Sequence, residues 1–358
     1  MAFNKEIYKD YEETLQTIVK ELLAKPSPSG YGHEVTQYIL DLLSKWGVEA
    51  YRTIKGGVIA HIKADPHKAE DITEGGLLLQ AHVDTLGGMV HRIKGTGRLK
   101  ITPIGGLVAA NTEAENVVVQ TRDGKTYEGT FQLENASVHV NADLKTQERN
   151  WDTMEVVLDE DVIDAEGVKA LGIESGDYVF FEPRTRISDK GYIKSRFLDD
   201  KLSAAVLLTY VKYLTDHKVG LSRDLYIHWT IYEEVGHGGS SPFFDGVTES
   251  WSVDMGCVGE GLNCTEKQVS IAAKDSGGPY NYDVVNKLIA LAKTYDIDYA
   301  VDIYPFYGSD VEATLRAGHD FRHALIGPGV YASHGYERSH LDGAMNTFRL
   351  IQAYLEDK

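Results

Sequence analysis

The sequence predicts an α/β fold, in which a mostly parallel β-sheet is flanked by helices and carries an inserted all-β module. Two observations lead to this prediction. In residues 1–88 and 191–358, β-prone runs alternate with amphipathic helical patterns, which is typical of a parallel sheet covered by helices. Residues 89–190 instead hold many short β-prone runs separated by turn signals, with no long helical pattern. We therefore predict one α/β domain in two segments, interrupted by a barrel-like domain at 89–190.

The first segment predicts two helices and two strands. Apolar residues at helical spacing mark one face of an N-terminal helix: Ile7, Tyr11, Leu15, Ile18 and Leu22. The helix breakers of KPSPSG (25–30) end it, and a second helix over HEVTQYILDLLSKWG (33–47) closes at Gly47. The strands GGVIAHIKA (56–64) and GGLLLQAHVD (75–84) follow. The second strand is apolar enough to be buried on both faces.

The middle segment predicts short strands and no long helix. Its β-prone runs are GRLKITPIG, NVVVQTRDGKTYEGTF, SVHVNA (137–142), MEVVLD and DYVFFEPRTRISDKGYI. Turn signals such as RDGK and SGDY separate these runs. About a hundred residues of this character predict a closed barrel or a sandwich.

In the last segment the alternation of strands and helices returns. DDKLSAAVLLTYVKYLTDH (199–217) is a strong amphipathic helix, and RDLYIHWTIYEE and SWSVDMG are strands. The chain then predicts, in order, the helix YNYDVVNKLIALAKTYD, the strand DYAVDIYP, the helix SDVEATLRAG, the strand HALIGPG and a last helix over 340–358.

Composition limits the possible functions. Of 358 residues, 42% are hydrophobic and 25% are charged, which suits a globular protein without membrane spans. The formal charge of −18 argues against a nucleic-acid partner, because binding phosphates requires a surplus of Lys and Arg. The two cysteines, Cys257 and Cys264, do not form a CxxC unit. With no signal-type or membrane-length apolar run, we expect a cytoplasmic protein.

Histidines and carboxylates follow five of the predicted strands. In open α/β sheets, functional residues gather at the carboxyl ends of strands. The polar residues just past the apolar runs are His82, Asp84, Asp199, Asp200, Glu233, Glu234, Asp254 and His334. Two histidines and several carboxylates without thiolates suit zinc, cobalt or manganese at a site with open positions. The number of ligands suits two metals that share one carboxylate, as in dinuclear hydrolases.

Three points stay open at this level. The adjacent Glu233 and Glu234 are either a solvated strand end or a pair in which one binds a cation and the other serves a reaction. Either Asp199 or Asp200 could be the bridging carboxylate. Asp310 could be a helix N-cap or could face the substrate.

At these positions the chain resembles the M42 metallo-aminopeptidases, a family that also carries glutamyl aminopeptidase, deblocking-aminopeptidase and glucanase labels. The resemblance rests on the motifs AHVDTLG, FLDDKLSA, EEVGHGG, SVDMG, YGSDVEA and SHGYE, in that order, and on the β insertion between the first two. It covers essentially the whole chain. One position departs from the family pattern, because Thr85 stands where Glu is frequent.

The resemblance implies a role for each site residue. His82, Asp199 and Asp254 would hold the first metal, and Asp199, Glu234 and His334 the second, so that Asp199 is the bridge. Two divalent ions per subunit are implied, zinc or cobalt first and manganese next. Glu233 would be the general base, and Asp84 would orient His82 by accepting its other ring proton. The motif around Asp310 implies that it also faces the substrate.

The implied function is an aminopeptidase that removes N-terminal residues from peptides by attack of a metal-bound hydroxide. Members of the family form dimers through the β insertion, and many form dodecamers, so we expect a homo-oligomer. Two alternatives remain: a deblocking or deacylating amidohydrolase on the same site, and a non-catalytic oligomeric relict. A glucanase fits poorly, because glycosidases need two free carboxylates beside the sugar.

Overall fold

The computed structural model describes residues 5–68 and 75–357, with side chains from Tyr8 onward. Ile7, one of the residues predicted on the first helical face, therefore lies outside the described side chains; the other four are buried. The described part of the chain contains these α-helices: α1 (Lys5–Leu23), α2 (His33–Lys45), α3 (Ala165–Ala170), α4 (Leu198–Asp216), α5 (Tyr282–Thr294), α6 (Asp310–Arg316) and α7 (Leu341–Glu356).

Eighteen strands are present in the described residues. Those before residue 160 are β1 (Ala50–Arg52), β2 (Val58–Ile62), β3 (Gly76–His82), β4 (Gly87–Ile93), β5 (Leu99–Ile104), β6 (Glu115–Gln120), β7 (Thr126–Leu133) and β8 (Met154–Leu158). Those after it are β9 (Tyr178–Phe181), β10 (Arg186–Ile187), β11 (Tyr192–Ser195), β12 (Leu225–Thr230), β13 (Val247–Val253), β14 (Gly256–Val258), β15 (Val269–Lys274), β16 (Tyr299–Ile303), β17 (Arg322–Tyr331) and β18 (Glu337–His340).

The large sheet has its strands in the order β1-β2-β12-β3-β13-β17-β18-β11-β10, with β14, β15 and β16 attached near β17. Its centre is parallel, because β12, β13 and β17 run in the direction of β3. Every residue of β3 is buried, as its continuous apolar run predicts. The predicted fold class is therefore confirmed.

The helices complete the core of this domain. Helix α4 packs against α1, α7 and β3, and nearly all of its residues are buried. On α7, Phe348 contacts the rings of Tyr11, Tyr210 and Tyr213 with centroid distances of 6.1, 5.5 and 5.7 Å. Among the described residues, none of the helices combines the length and the apolar character that crossing a lipid bilayer requires.

The insertion is a closed six-stranded barrel with the order β4-β5-β8-β7-β6-β9. Its strands lie between Gly87 and Phe181, whereas β10 and β11 pair with the large sheet through β18. The sequence-based limits of this domain, 89 and 190, stay a prediction.

The strand predicted over 137–142 is wrong, because these residues form turns. The backbone N–H groups of Val140 and Asn141 both donate to the carbonyl of Ser137, which closes a local turn where a ladder would have required an extended chain. The side chains of Val138 and Val140 are exposed.

Candidate active site

The predicted site residues meet at one edge of the large sheet. His82 is the last residue of β3, Asp254 follows β13, and Glu233 and Glu234 form a short 3-10 turn after β12. Since these three strands are parallel neighbours, their carboxyl ends open on the same side. Asp199 and His334 reach the same cavity, which has a volume of about 540 Å³, from the start of α4 and the loop after β17.

One group of three candidate ligands is compact. His82, Asp199 and Asp254 are all buried, and each offers a ligand atom within 4.8 Å of those of the other two. The Nε2 atom of His82 lies 3.1 Å from Oδ1 of Asp199. A mixed nitrogen and oxygen set with no thiolate could hold a divalent metal of the zinc, cobalt or manganese type.

The ring of His82 is oriented by the backbone. Its Nδ1 atom lies 2.9 Å from the main-chain oxygen of Asp84 but 3.6 Å from the carboxylate Oδ1 of that residue. A carbonyl oxygen can only accept, so Nδ1 carries a proton, and Nε2 is the ring nitrogen that faces Asp199 and that could bind a metal. The Nδ1 proton of His82 thus goes to the main-chain carbonyl of Asp84, and the carboxylate of that residue lies farther away.

Asp199 lies between the two histidines. Its Oδ1 faces His82, and its Oδ2 lies 3.7 Å from Nε2 of His334. The same Nε2 is 3.6 Å from Oε2 of Glu234. The two oxygens of one carboxylate thus point toward two separate groups of ligands, which is the arrangement a bridging ligand requires.

The carboxylate of Asp84 holds the turn that carries the two glutamates. It accepts the backbone N–H groups of Glu233 at 3.2 Å and of Glu234 at 3.4 Å, and it also accepts the hydroxyl of Ser29. Oε2 of Glu233 lies 3.7 Å from Nε2 of His82. Both glutamate side chains line the cavity. This differs from a solvated strand end, in which they would point into the solvent.

The cavity brings several largely buried carboxyl groups close together. Burial, followed by the charge of neighbouring carboxylates, raises the pKa of Glu234 well above its ordinary value and that of Asp254 to about 7. Burial also raises the pKa of Glu233. At His82, burial lowers the pKa, but the hydrogen bond with Asp199 and nearby carboxylates outweigh it and raise the pKa overall. Such a site favours bound cations.

Asp200 and Asp310 occupy different surroundings from the ligands. Asp200 is buried and its carboxylate has no hydrogen-bond partner in the described part of the chain. The carboxylate of Asp310 accepts the N–H of Gly239 at 2.6 Å and the hydroxyl of Thr230. It lines the cavity while holding the turn after the glutamates, and burial raises its pKa to about 6. The N-cap of α6 is Ser309.

Sequence reasoning missed Glu337 and Ser333. The buried carboxylate of Glu337 accepts the backbone N–H of Asp199 and that of His334, each at 3.1 Å, so one side chain fixes two ligand-bearing segments. The hydroxyl of Ser333 donates to Oδ2 of Asp199 at 2.8 Å. Both residues stand in the SHGYE motif, and their polar character beside His334 was the available signal.

Beyond the ligands, the cavity wall mixes apolar and charged groups. Met255, Cys257, Phe306 and Tyr307 line it, with Arg316 from the last turn of α6. Phe306 is almost fully exposed. This part of the cavity has room and surface for a substrate side chain.

Behind this wall, Glu312 predicts a pH-dependent stability. Burial, followed by contact with the buried Asp275 carboxyl, raises the pKa of Glu312 to about 7. The folded state binds the proton of Glu312 more tightly than the unfolded state does. The stability that this proton contributes is therefore complete below the unfolded pKa and is lost as the pH rises through about 7. Removing the charge with Glu312→Gln should therefore stabilise the protein at about pH 8 by roughly 1–3 kcal/mol, and much less at about pH 5.

The measurement is denaturant unfolding of both proteins at the two pH values. Arg316→Gln is the control, since Arg316 lies 3.6 Å from Glu312 and its removal breaks this ion pair without changing the carboxyl group itself. This control should gain no stability at either pH. An equal effect of Glu312→Gln at both pH values would contradict the pKa shift.

Comparisons with known proteins agree with this geometry. The model of the M42 glutamyl aminopeptidase family matches residues 56–350. A candidate aminopeptidase of Bacillus subtilis (strain 168), YhfE, is 43% identical over 339 residues, covering 95% of this chain and 96% of the relative.

Solved structures share the fold. The aminopeptidase APDkam598 of the archaeon Desulfurococcus kamchatkensis aligns with a TM-score of 0.86 at 22% identity, covering 97% of this chain and 96% of that one. The TET1 peptidase of Pyrococcus horikoshii, described as assembling into a tetrahedron or a large octahedral shell, aligns with a TM-score of 0.82 at 20% identity, covering 96% and 100%. With a match over most of its length and a buried ligand set at the expected strand ends, this chain belongs to the M42 glutamyl aminopeptidase family, and it is a hydrolase.

Proposed function

We propose that this protein is a dinuclear metal-dependent aminopeptidase that removes N-terminal residues from peptides. The observation that carries the proposal is the position of Asp199, whose two carboxylate oxygens face His82 on one side and His334 on the other. A metalloenzyme with a single metal would not need both oxygens of one buried carboxylate to face separate ligand groups.

The donor set fits two divalent ions. His82, Asp199 and Asp254 would hold the first, and Asp199, Glu234 and His334 the second. Both histidines direct Nδ1 to a main-chain carbonyl, that of Asp84 at 2.9 Å and that of Gly106 at 3.1 Å, which leaves each Nε2 free to bind a cation. The repulsion among the buried carboxylates is the electrostatic cost that two dications would remove.

When bound, the metal pair supplies an activated water and polarises the carbonyl of the first peptide bond. Glu233 is not needed as a ligand in this arrangement, so its carboxylate can take a proton from that water and deliver it to the leaving amine. Asp84 keeps Glu233 and Glu234 at the cavity through their backbone N–H groups. Asp310 adds negative charge to the wall, which favours the free ammonium group of the substrate.

We extend the proposal to the cellular setting. A homo-oligomer is supported by the tetrahedral and octahedral assemblies described for the TET1 peptidase, and a dimer or a dodecamer is the form we propose. A cytoplasmic location is supported by the two free cysteines. Peptides are the proposed substrates, and the acidic surface disfavours nucleic acid.

Metal removal tests the chemistry. We expect that exhaustive chelation abolishes hydrolysis of aminoacyl-anilides, and that zinc, cobalt or manganese restores it, because a general base alone does not lower the pKa of water as a bound divalent metal does. N-acetylated anilides are the control for a free amine and should be hydrolysed far more slowly. Full activity of the metal-free protein would refute the proposal, and equal rates on acetylated substrates would point to a deacylase.

A further inference from the structure

The loop that carries His334 has a backbone conformation that needs support. Ala332 and His334 adopt positive φ angles of 59° and 62°, a region that residues other than glycine visit rarely. Such conformations persist where the surroundings hold them in place. Two of the contacts to this loop come from Gly106 and Asn111, which lie in the connection between β5 and β6 of the barrel.

The carbonyl of Gly106 sets the orientation of the His334 ring. It lies 3.1 Å from Nδ1, and because it can only accept, Nδ1 carries the proton. Nε2 then directs its lone pair toward Glu234 and Asp199, at 3.6 and 3.7 Å. A residue of the barrel thus does for His334 what the carbonyl of Asp84 does for His82.

Positions 105 and 106 require glycine because neighbouring residues come too close for a Cβ atom. A Cβ at Gly106 would lie 2.8 Å from Nδ1 of His334, nearer than such atoms approach. Gly105 has φ +69°, and a Cβ there would lie 2.7 Å from the side chain of Leu86 and 3.1 Å from the carbonyl oxygen of Glu234. The two glycines therefore touch both side-chain ligands proposed for the second metal alone.

A buried ion pair fixes the rest of the loop. Arg196, which is 1% exposed, donates to Oε1 of Glu115 at 2.7 Å, to the carbonyl of Gly335 at 3.1 Å and to the carbonyl of Asn111. Asn111 also donates to the carbonyl of His334 at 3.4 Å. One guanidinium therefore joins the barrel to the metal-binding loop through three acceptors in a fixed geometry.

We propose that the barrel forms the outer part of the second metal site, with Gly106, Arg196 and Glu115 as positioning residues for His334. This inference rests on the proposed dinuclear function. It gives the inserted domain a task within each subunit, separate from any role in assembly. Partners that orient a metal-bound histidine are typically worth about 10–100-fold in metal affinity. The first site shares Asp199 with the second, but neither His82 nor Asp254 takes part in the contacts described above.

The test is a Co²⁺ titration of the full-length metal-free protein, followed by visible absorption and by metal analysis after gel filtration. Wild type should bind two equivalents. Gly106→Ala should bind the second equivalent about 10–100-fold more weakly with an altered spectrum, because the added Cβ displaces the His334 ring, while the first equivalent stays unchanged. Arg196→Lys keeps the charge but loses the fork that reaches Gly335, and should weaken the same equivalent.

Gly95→Ala is the matched control, since a Cβ at this barrel glycine meets nothing within 4 Å, and it should bind both equivalents as wild type does. Circular dichroism of each variant checks folding, and Arg196→Lys decides the question if Gly106→Ala does not fold. If wild type binds two equivalents and both test variants bind them equally well, the role of the barrel is refuted while the dinuclear proposal stands. If wild type binds only one, both are refuted.

Discussion

Glu233→Gln is expected to retain both metals and to lose turnover by roughly a hundredfold or more, the cost of removing a general base. The substitution keeps the size of the side chain and leaves the carboxylates of Glu234 and Asp254 in place. The backbone N–H of Glu233 still donates to Asp84, so the turn should not move. Metal content and kcat measured on the same preparation test both parts of the expectation.

Glu234→Gln is the matched comparison at the adjacent position. Oε2 of Glu234 lies 3.6 Å from Nε2 of His334, so this variant should bind the second metal more weakly, and added metal should restore part of the rate. If Glu233→Gln loses metal and Glu234→Gln keeps it, the two roles are reversed. If both variants keep metal and near-normal turnover, the pair is only the end of a strand.

Much of the fold and of the candidate site could be predicted because both follow from patterns local in sequence. The apolar run of β3 predicts a strand buried on both faces, and the place where it ends predicts that His82 faces the edge of the sheet. The alternation of strands with helices predicts the parallel sheet. Neither step requires knowledge of distant contacts.

The missed features depend on contacts between segments far apart in the chain. Glu337 binds the backbone of Asp199, and Gly106 approaches His334 across 228 positions. In the sequence, a glycine pair inside a β-rich segment indicates a turn. No local pattern indicates that this turn will contact the imidazole ring of His334. The strand predicted at 137–142 is wrong for a related reason. β-prone residues form a strand only where a partner strand pairs with them, and the local sequence does not show whether such a partner is present.

The barrel and the sheet therefore meet at the site through residues that local patterns do not single out. The second ligand group combines Glu234 after β12, His334 after β17 and the supporting carbonyl of Gly106 from the barrel. The first ligand group needs only the large sheet and the start of α4. For the proposed dinuclear site, this asymmetry predicts that the two metals bind with different affinity and that the second is the more easily lost in the cobalt titration.

Asp199→Asn should have the largest effect on metal binding, since this residue contributes to both ligand groups. An amide in its place brings an NH₂ group toward one of the two histidines and removes the charge that offsets two dications. We expect affinity for both metals to fall by more than the roughly 10–100-fold that follows loss of a partner outside the ligand set, and activity to be lost with it. Metal analysis after gel filtration and calorimetric titration of the metal-free variant measure this.

Asp200→Asn is the control at the neighbouring position and decides which aspartate is the bridge. Burial, followed by the charge of Asp254, raises the pKa of Asp200 well above its ordinary value, so a neutral amide resembles the form the site already favours. This variant should therefore retain both metals. If Asp200→Asn loses both metals while Asp199→Asn keeps them, Asp200 is the bridge. Such a result would also require its carboxylate to turn toward both histidines, because in this structure it is Asp199 that faces His82 and His334.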